Sequence, residues 1–210
     1  MRQLILDSAS EACTAALMDG GALIDYRHEV IGRGHAERLV PLIAELDGGG
    51  RADEILIGCG PGSFAGVRIG VAAGRGLALG WGAHMRGFSS LALVAAGAHA
   101  ELAEAGKGLV VMEGGHGQWF VQPFDAALNP LADLQSLLPD DAAALDYDLL
   151  IGNRAEACAE LKGAGRALAM LPDARHAVHL PEAALFADPS PIYGRAPDAK
   201  PAAVKAGVKP

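Results

Sequence analysis

Gly58-Cys-Gly-Pro-Gly-Ser-Phe-Ala-Gly66, continuing as Val67-Arg-Ile-Gly-Val-Ala-Ala-Gly74, is the stretch from which the rest of this chain can be read. The run before it, Glu54-Ile-Leu-Ile-Gly58, is short and apolar, as a buried strand is. The segment after it is rich in Ala, Gly, Val and Leu and predicts a helix over residues 63–80. Strand, glycine turn and helix in succession aim backbone N–H groups at a helix N-terminus, where an anion can sit. Pro61 pre-sets the turn and Ser63 has the side chain to cap the helix. Gly60, Pro61, Gly62 and Ser63 are therefore the fold-defining turn.

Within the helix, Gly66, Gly70 and Gly74 recur at i, i+4 and i+8 and share one narrow stripe. Each glycine costs about 1 kcal/mol against alanine in a helix interior. Close backbone approach to a sheet or a second helix would offset that cost. Arg68 and Arg75 project from the other side, with Ala72 and Leu79 beside them. That face is either solvated or a surface for a partner.

The chain has 210 residues, 51% hydrophobic and 20% charged, enough for one large or two small domains with a real core. Its net charge of −8 argues against a stand-alone nucleic-acid binder. Cys13, Cys59 and Cys158 are far apart and odd in number, which suits a reducing cytoplasm rather than a disulfide framework or a zinc ribbon. The N-terminus reaches Asp7 too soon for a signal peptide, and the two arginines and many glycines of 63–80 count against a membrane span.

Three strands open the chain: residues 3–7, 13–18 and 22–29, joined by turns at Ser8-Ala-Ser and Asp19-Gly-Gly21. Three strands on tight turns, with an Asp at the first turn, is how the actin-like ATPase and sugar-kinase fold begins. The chain's opening resembles that fold, and the resemblance implies an α/β class, an actin-like fold of two lobes, the first ribonuclease H-like with a mixed sheet. Residues 35–46 predict an amphipathic helix with Leu39, Leu42, Ile43 and Leu46 on one face and Pro41 inside it. After Trp81-Gly82 come a strand at 84–88 and a helix from Leu91 to about Glu104. Composition shifts at Ala105-Gly-Lys-Gly108, so the expected lobes are 1–104 and 105–195, followed by a disordered Pro/Ala/Lys tail at 196–210. In the second lobe, residues 109–113 and 118–124 pair as antiparallel strands, 131–138 is a short helix, 147–152 a strand, 153–161 a helix and 180–187 a last short helix.

The obvious chemistries fail on spacing. The turn at 60–62 has no following Lys-Ser/Thr, so it is not a Walker A loop, and it lacks the ribose-binding acid of a dinucleotide fingerprint. Ser63 is not in a G-x-S-x-G elbow. His35 has Arg38 and Leu39 where a second metal ligand would stand, and no histidine pair elsewhere is convincing, so no metal site is expected. Asp7, with Ser8 beside it, is the best candidate for phosphate or Mg²⁺ contact by analogy with the fold. The competing reading is an Asp that caps the first hairpin turn.

Four motifs in order carry a family likeness: Leu6-Asp-Ser-Ala-Ser-Glu-Ala-Cys13, His35-Ala-Glu-Arg-Leu-Val-Pro41, Gly60-Pro-Gly-Ser-Phe-Ala-Gly-Val-Arg-Ile-Gly70 and Pro191-Ile-Tyr-Gly-Arg195. Together they resemble the TsaB (YeaZ) family, partner subunits in bacterial synthesis of threonylcarbamoyladenosine at position 37 of tRNA. The likeness is dense over residues 1–95 and thin beyond. It implies a cytoplasmic, non-catalytic subunit that binds and activates a paralogous catalytic subunit, TsaD. An ATPase, TsaE, joins the pair, and tRNA is reached only through the complex. It implies no cofactor held by this chain alone, with ATP or ADP and Mg at the subunit interface and a homodimer in the partner's absence. Residues 35–46 and 63–80 would form the docking bundle through Leu39, Leu42, Ile43, Leu46, Arg68, Ala72, Arg75 and Leu79. The catalytic paralogue's H-x-x-x-H pair is missing, since the matching place reads Phe88-Ser-Ser-Leu-Ala-Leu93. Two further departures are Ala65, where the family usually has Thr, and Glu113-Gly-Gly115, where it often has Asp-Ala-Arg. The rival from another class is a free-standing sugar-kinase-like phosphotransferase. It would need a second phosphate loop and an adenosine pocket, and residues 105–190 show no clear glycine-rich loop for one.

Overall fold

Two five-stranded sheets are built to the same plan. A computed structural model describes residues 1–102 and 106–194. The first sheet contains β1 (Arg2–Asp7), β2 (Ala12–Asp19), β3 (Ala22–Val30), β4 (Glu54–Gly58) and β5 (His84–Phe88) in the order β3-β2-β1-β4-β5. The first three strands pair antiparallel, and β1–β4 and β4–β5 pair parallel. The second sheet contains β6 (Gly108–Gly115), β7 (Gln118–Phe124), β8 (Gln135–Leu137), β9 (Leu149–Ile151) and β10 (Arg166–Leu168) in the order β10-β9-β6-β7-β8. It too starts with an antiparallel meander and ends with two parallel additions. The expected two-lobed, mixed-sheet α/β architecture is therefore present.

The helices separate the sheets into layers. Helices α1 (His35–Ala44) and α2 (Phe64–Trp81) cover one face of the first sheet, in a core with Leu4, Leu6, Leu17, Ile55 and Ile57. Helix α3 (Ser90–Glu101) lies between the two sheets. Leu93 packs with Ile5, Leu56 and Phe88 of the first, while Leu91, Val94 and Ala95 pack with Val110, Phe120 and Ile151 of the second. Every residue from Ser90 to Ala98 is buried, as befits a helix that is apolar all round. Helices α4 (Pro139–Ala143) and α5 (Ala155–Lys162) cover the far face of the second sheet.

Chain order and lobe membership part company near the end. Residues 105–195 are expected to form one lobe, yet the 3₁₀ turn Ala174–His179 packs its Ala174 and Ala177 onto the first sheet. Phe186 then bridges Gly87 beyond the β5 edge, and the Ile192 N–H donates to the Cys59 carbonyl at 2.7 Å. The helix expected at 131–138 is instead the edge strand β8, whose register against β7 is fixed by Val121, Phe120 and Trp119. The helix expected at 180–187 is only a 3₁₀ turn, Glu182–Ala184. The tail expected at 196–210 lies outside the described residues.

Candidate functional site

The glycine turn does what its residues dictate. Gly60 has φ +90, which only glycine adopts without strain, and the Gly60–Pro61 peptide is cis. The Ser63 hydroxyl accepts from the Gly66 N–H and caps α2 at its first turn. The Ser63 N–H donates to the Ala9 carbonyl at 2.6 Å, so the turn is tied to the loop after β1.

The small-residue stripe of α2 faces this chain's own sheet. A Cβ at Gly66 or Gly70 would collide with the Ser8 carbonyl or hydroxyl, and one at Gly74 with the Ile57 side chain. The glycines let α2 sit directly on β1 and β4. The opposite face of α2 is open: Ala65, Arg68, Ala72, Arg75 and Gly76 are exposed, and Leu79 is 88% exposed. On α1 the outward residues are Ala36, Glu37, Val40, Pro41 and Ala44.

Half of the expected docking residues are therefore misplaced. Leu39, Leu42, Ile43 and Leu46 are buried against the first sheet, because an amphipathic helix has one apolar face and its own sheet has taken it. Arg68, Ala72, Arg75 and Leu79 do reach the surface. Two of them are already engaged within the chain. The Arg68 guanidinium lies over the Phe64 ring, 4.4 Å from its centroid, and Arg75 Nη2 donates to the Pro189 carbonyl at 3.0 Å.

Between the lobes runs a cleft of about 1010 Å³. The first lobe contributes Ser10, Glu11, Ser63, Phe64 and Ser90, and the second Met112, Glu113, Phe120, Asn153 and Arg154. Tyr193 and Gly194 complete the rim. The N-termini of α2 and α3 open toward it at Ser63 and Ser90. The cleft is bridged across the lobes by Asn153 Nδ2, which donates to Glu11 Oε1 at 3.3 Å. Asn153 Oδ1 accepts from the Glu113 N–H, so Asn153 fixes the end of β6, and Arg154 takes the N-cap position of α5.

Asp7 and Ser8 do not reach this cleft. Asp7 is fully buried, with Oδ1 accepting from the Ala9 N–H at 2.9 Å and Oδ2 from the Ser90 hydroxyl at 2.5 Å. The Ser8 hydroxyl donates to the Gly66 carbonyl. Burial pushes the Asp7 carboxyl above the ordinary aspartate range, against the pull of those hydrogen bonds and of the nearby His35. The nucleotide contact expected of these two residues is thus replaced by an internal brace joining β1, the glycine turn and α3. Ser90 is the link that spacing did not reveal: its Oγ also accepts from the Gly60 N–H at 3.1 Å. Among the described residues, no group of three or more His, Cys, Asp or Glu side chains is placed to hold a metal.

Comparison with known proteins gives this geometry a lineage. The family model described as TsaD, tRNA N6-adenosine threonylcarbamoyltransferase, matches residues 28–172. The chain belongs to this family, on its TsaB/YeaZ side. It is 40% identical over 103 residues to the tRNA threonylcarbamoyladenosine biosynthesis protein TsaB of Escherichia coli K12, covering 47% of this chain and 44% of that one. It is 39% identical over 82 residues to the TsaB of Haemophilus influenzae, covering 37% and 34% respectively. The chain therefore spans less than half the length of the curated relatives it matches. Among solved structures it resembles YeaZ from Pseudomonas aeruginosa, at 26% identity and a TM-score of 0.76, covering 91% of this chain and 99% of that one.

Set against the TsaB/YeaZ pattern, the two departures acquire locations. Ala65 is exposed at the first turn of α2, beside the cleft rim. At Glu113-Gly-Gly115 the family's arginine is absent from β6, but Arg154 of the loop before α5 brings a guanidinium to the same carboxylate, Nε to Glu113 Oε2 at 2.6 Å. Glu113 is thus paired with an arginine 41 residues further along the chain.

Proposed function

We propose that this chain is a non-catalytic partner subunit that binds and activates a TsaD-type threonylcarbamoyltransferase in the modification of adenosine 37 of tRNA. One observation carries the reading. Helices α1 and α2 pack side by side on one sheet and turn outward a surface of small and apolar residues: Val40, Pro41 and Ala44 from α1, and Ala72, Gly76 and Leu79 from α2. Small residues let a second pair of helices approach closely, and Leu79 is the natural anchor. Arg68 and Arg75 flank that surface and select a partner bearing carboxylates. A TsaE-type ATPase joins the pair in this reading, and the same face closes on a second copy when the partner is absent. The phosphotransferase alternative needs a carboxylate such as Asp7 at the phosphates, and Asp7 is buried beneath Ser90.

The test mixes the purified chain with a TsaD-type subunit and a TsaE-type ATPase, and measures complex formation and tRNA modification. Leu79→Glu should weaken the heterocomplex at least about thirtyfold, the loss of a hot spot of about 2 kcal/mol. It should leave the monomer folded, because Leu79 contributes little to the core. Full modification without this chain, or undiminished affinity in Leu79→Glu, would overturn the reading.

A further inference from the structure

The motif Pro191-Ile-Tyr-Gly-Arg195 has no part in the docking surface, yet its described residues occupy a singular position. Residues 186–194 start at the edge of the first sheet, where Phe186 and Gly87 exchange backbone hydrogen bonds of 2.8 and 2.9 Å. They cross beside α2, where the Pro189 carbonyl accepts from Arg75 Nη2. The Ile192 N–H then joins the Cys59 carbonyl, and Ile192 packs into the core beneath α2. The Tyr193 ring lies 5.5 Å from the Phe64 ring, centroid to centroid. Gly194 ends the crossing on the second lobe, so close to Phe120 that a Cβ there would overlap its ring. One short segment thus touches the outer face of α2, the rim of the cleft and both lobes.

The same arginines hold the segment and flank the docking surface. Arg75 binds Pro189. Arg68 covers Phe64, which in turn carries Tyr193. A carboxylate offered by a partner would compete for both guanidinium groups, because an ionised acceptor outbids a carbonyl oxygen or a ring face. We propose that residues 189–194 are a strap coupling the outer face of α2 to the interlobe cleft. A partner that takes over Arg75 and Arg68 loosens the strap and opens the cleft at Tyr193 and Gly194. The identity of the partner rests on the function proposed above, whereas the hold of Arg75 on the strap does not.

Coupling of this kind is reciprocal: if docking must loosen the strap, a strap already loosened must favour docking. Two measurements on the full chain test it. In the free protein, Arg75→Ala should speed amide hydrogen exchange at Ile192 about tenfold, the loss of one charge-assisted hydrogen bond, while β1 and β4 keep their protection. Unchanged exchange over residues 189–194 would overturn the proposal without any partner present. In the heterocomplex, Tyr193→Ala should tighten binding of the TsaD-type subunit about threefold, since one aromatic contact no longer opposes release. Unchanged or weaker affinity would mean that Tyr193 is structural or touches the partner directly, and the coupling would be wrong. If no complex forms with either protein, the function reading fails, and the exchange experiment still judges the strap.

Discussion

Gly66→Ala and Gly76→Ala add the same methyl group to the same helix and should move stability in opposite directions. A Cβ at Gly76 meets nothing within 4 Å. That substitution keeps only the helix-propensity gain of about 1 kcal/mol. A Cβ at Gly66 would overlap the Ser8 carbonyl oxygen and stand 3.4 Å from Ser63 Cβ. The Ser8 carbonyl is backbone at the end of β1 and cannot rotate aside, so α2 must lift from the sheet. Lifting also stretches the 2.9 Å bond from the Ser8 hydroxyl to the Gly66 carbonyl. Overpacking of this sort costs about 3 kcal/mol at the upper end of its range, and the stretched hydrogen bond about 1 more. Against the propensity gain, the net destabilisation is about 3 kcal/mol. For a chain of 210 residues, each kcal/mol shifts Tm by about 2–4 °C. Gly76→Ala should therefore raise Tm by about 3 °C and Gly66→Ala lower it by about 6–12 °C, read by calorimetry or by circular dichroism. Gly70→Ala should fall between them, because its nearest neighbour is the rotatable Ser8 hydroxyl at 2.8 Å. Equal shifts for Gly66→Ala and Gly76→Ala would refute the assignment of the glycine stripe to the sheet contact.

Leu42→Ala should cost about 2–5 kcal/mol in urea unfolding, since Leu42 is fully buried beneath α1. A cost below about 0.5 kcal/mol would return Leu42 to the docking surface. Asp7 supplies a pH signature. Its folded-state carboxyl titrates above the unfolded value of 3.8. Its contribution to stability is therefore complete below that pH and declines as pH rises through the folded value. Asp7→Asn keeps an acceptor for the Ala9 N–H and removes the charge, so its stability relative to the parent should improve between pH 4 and pH 7. A difference that stays constant over that range would show that Asp7 is not strained by ionisation.

Much of the first lobe was legible because its signals are local. Alternating apolar residues, tight glycine turns and the run 54–58 each specify a strand without reference to distant residues. The helix over 63–80 was equally plain, since Ser63 and Gly82 mark its ends. The second lobe was read less well. Gln135–Leu137 and Arg166–Leu168 are strands of three residues, too short for any period to show, and they are strands only because β7 and β9 offer them edges. The burial of Leu39, Leu42, Ile43 and Leu46 in this chain's own core is not legible for a related reason: periodicity shows that a helix has an apolar face but not which body claims it. The Glu113–Arg154 pair and the Ser90–Asp7 brace join residues 41 and 83 positions apart, beyond any motif.

The amino-acid order alone was enough for the strand–turn–helix at 54–81, the opening meander and the family likeness, because each is carried by short motifs of contiguous residues. Folding in three dimensions decided which side of α2 was spoken for. It sent Gly66, Gly70 and Gly74 onto the sheet, left Ala72, Gly76 and Leu79 in solvent, and buried Asp7 away from the cleft. It also brought residues 174–192 back across the first lobe. Those outcomes follow from competition for buried surface and hydrogen-bond partners among elements far apart in the chain, and that competition is settled only when all the elements are packed together.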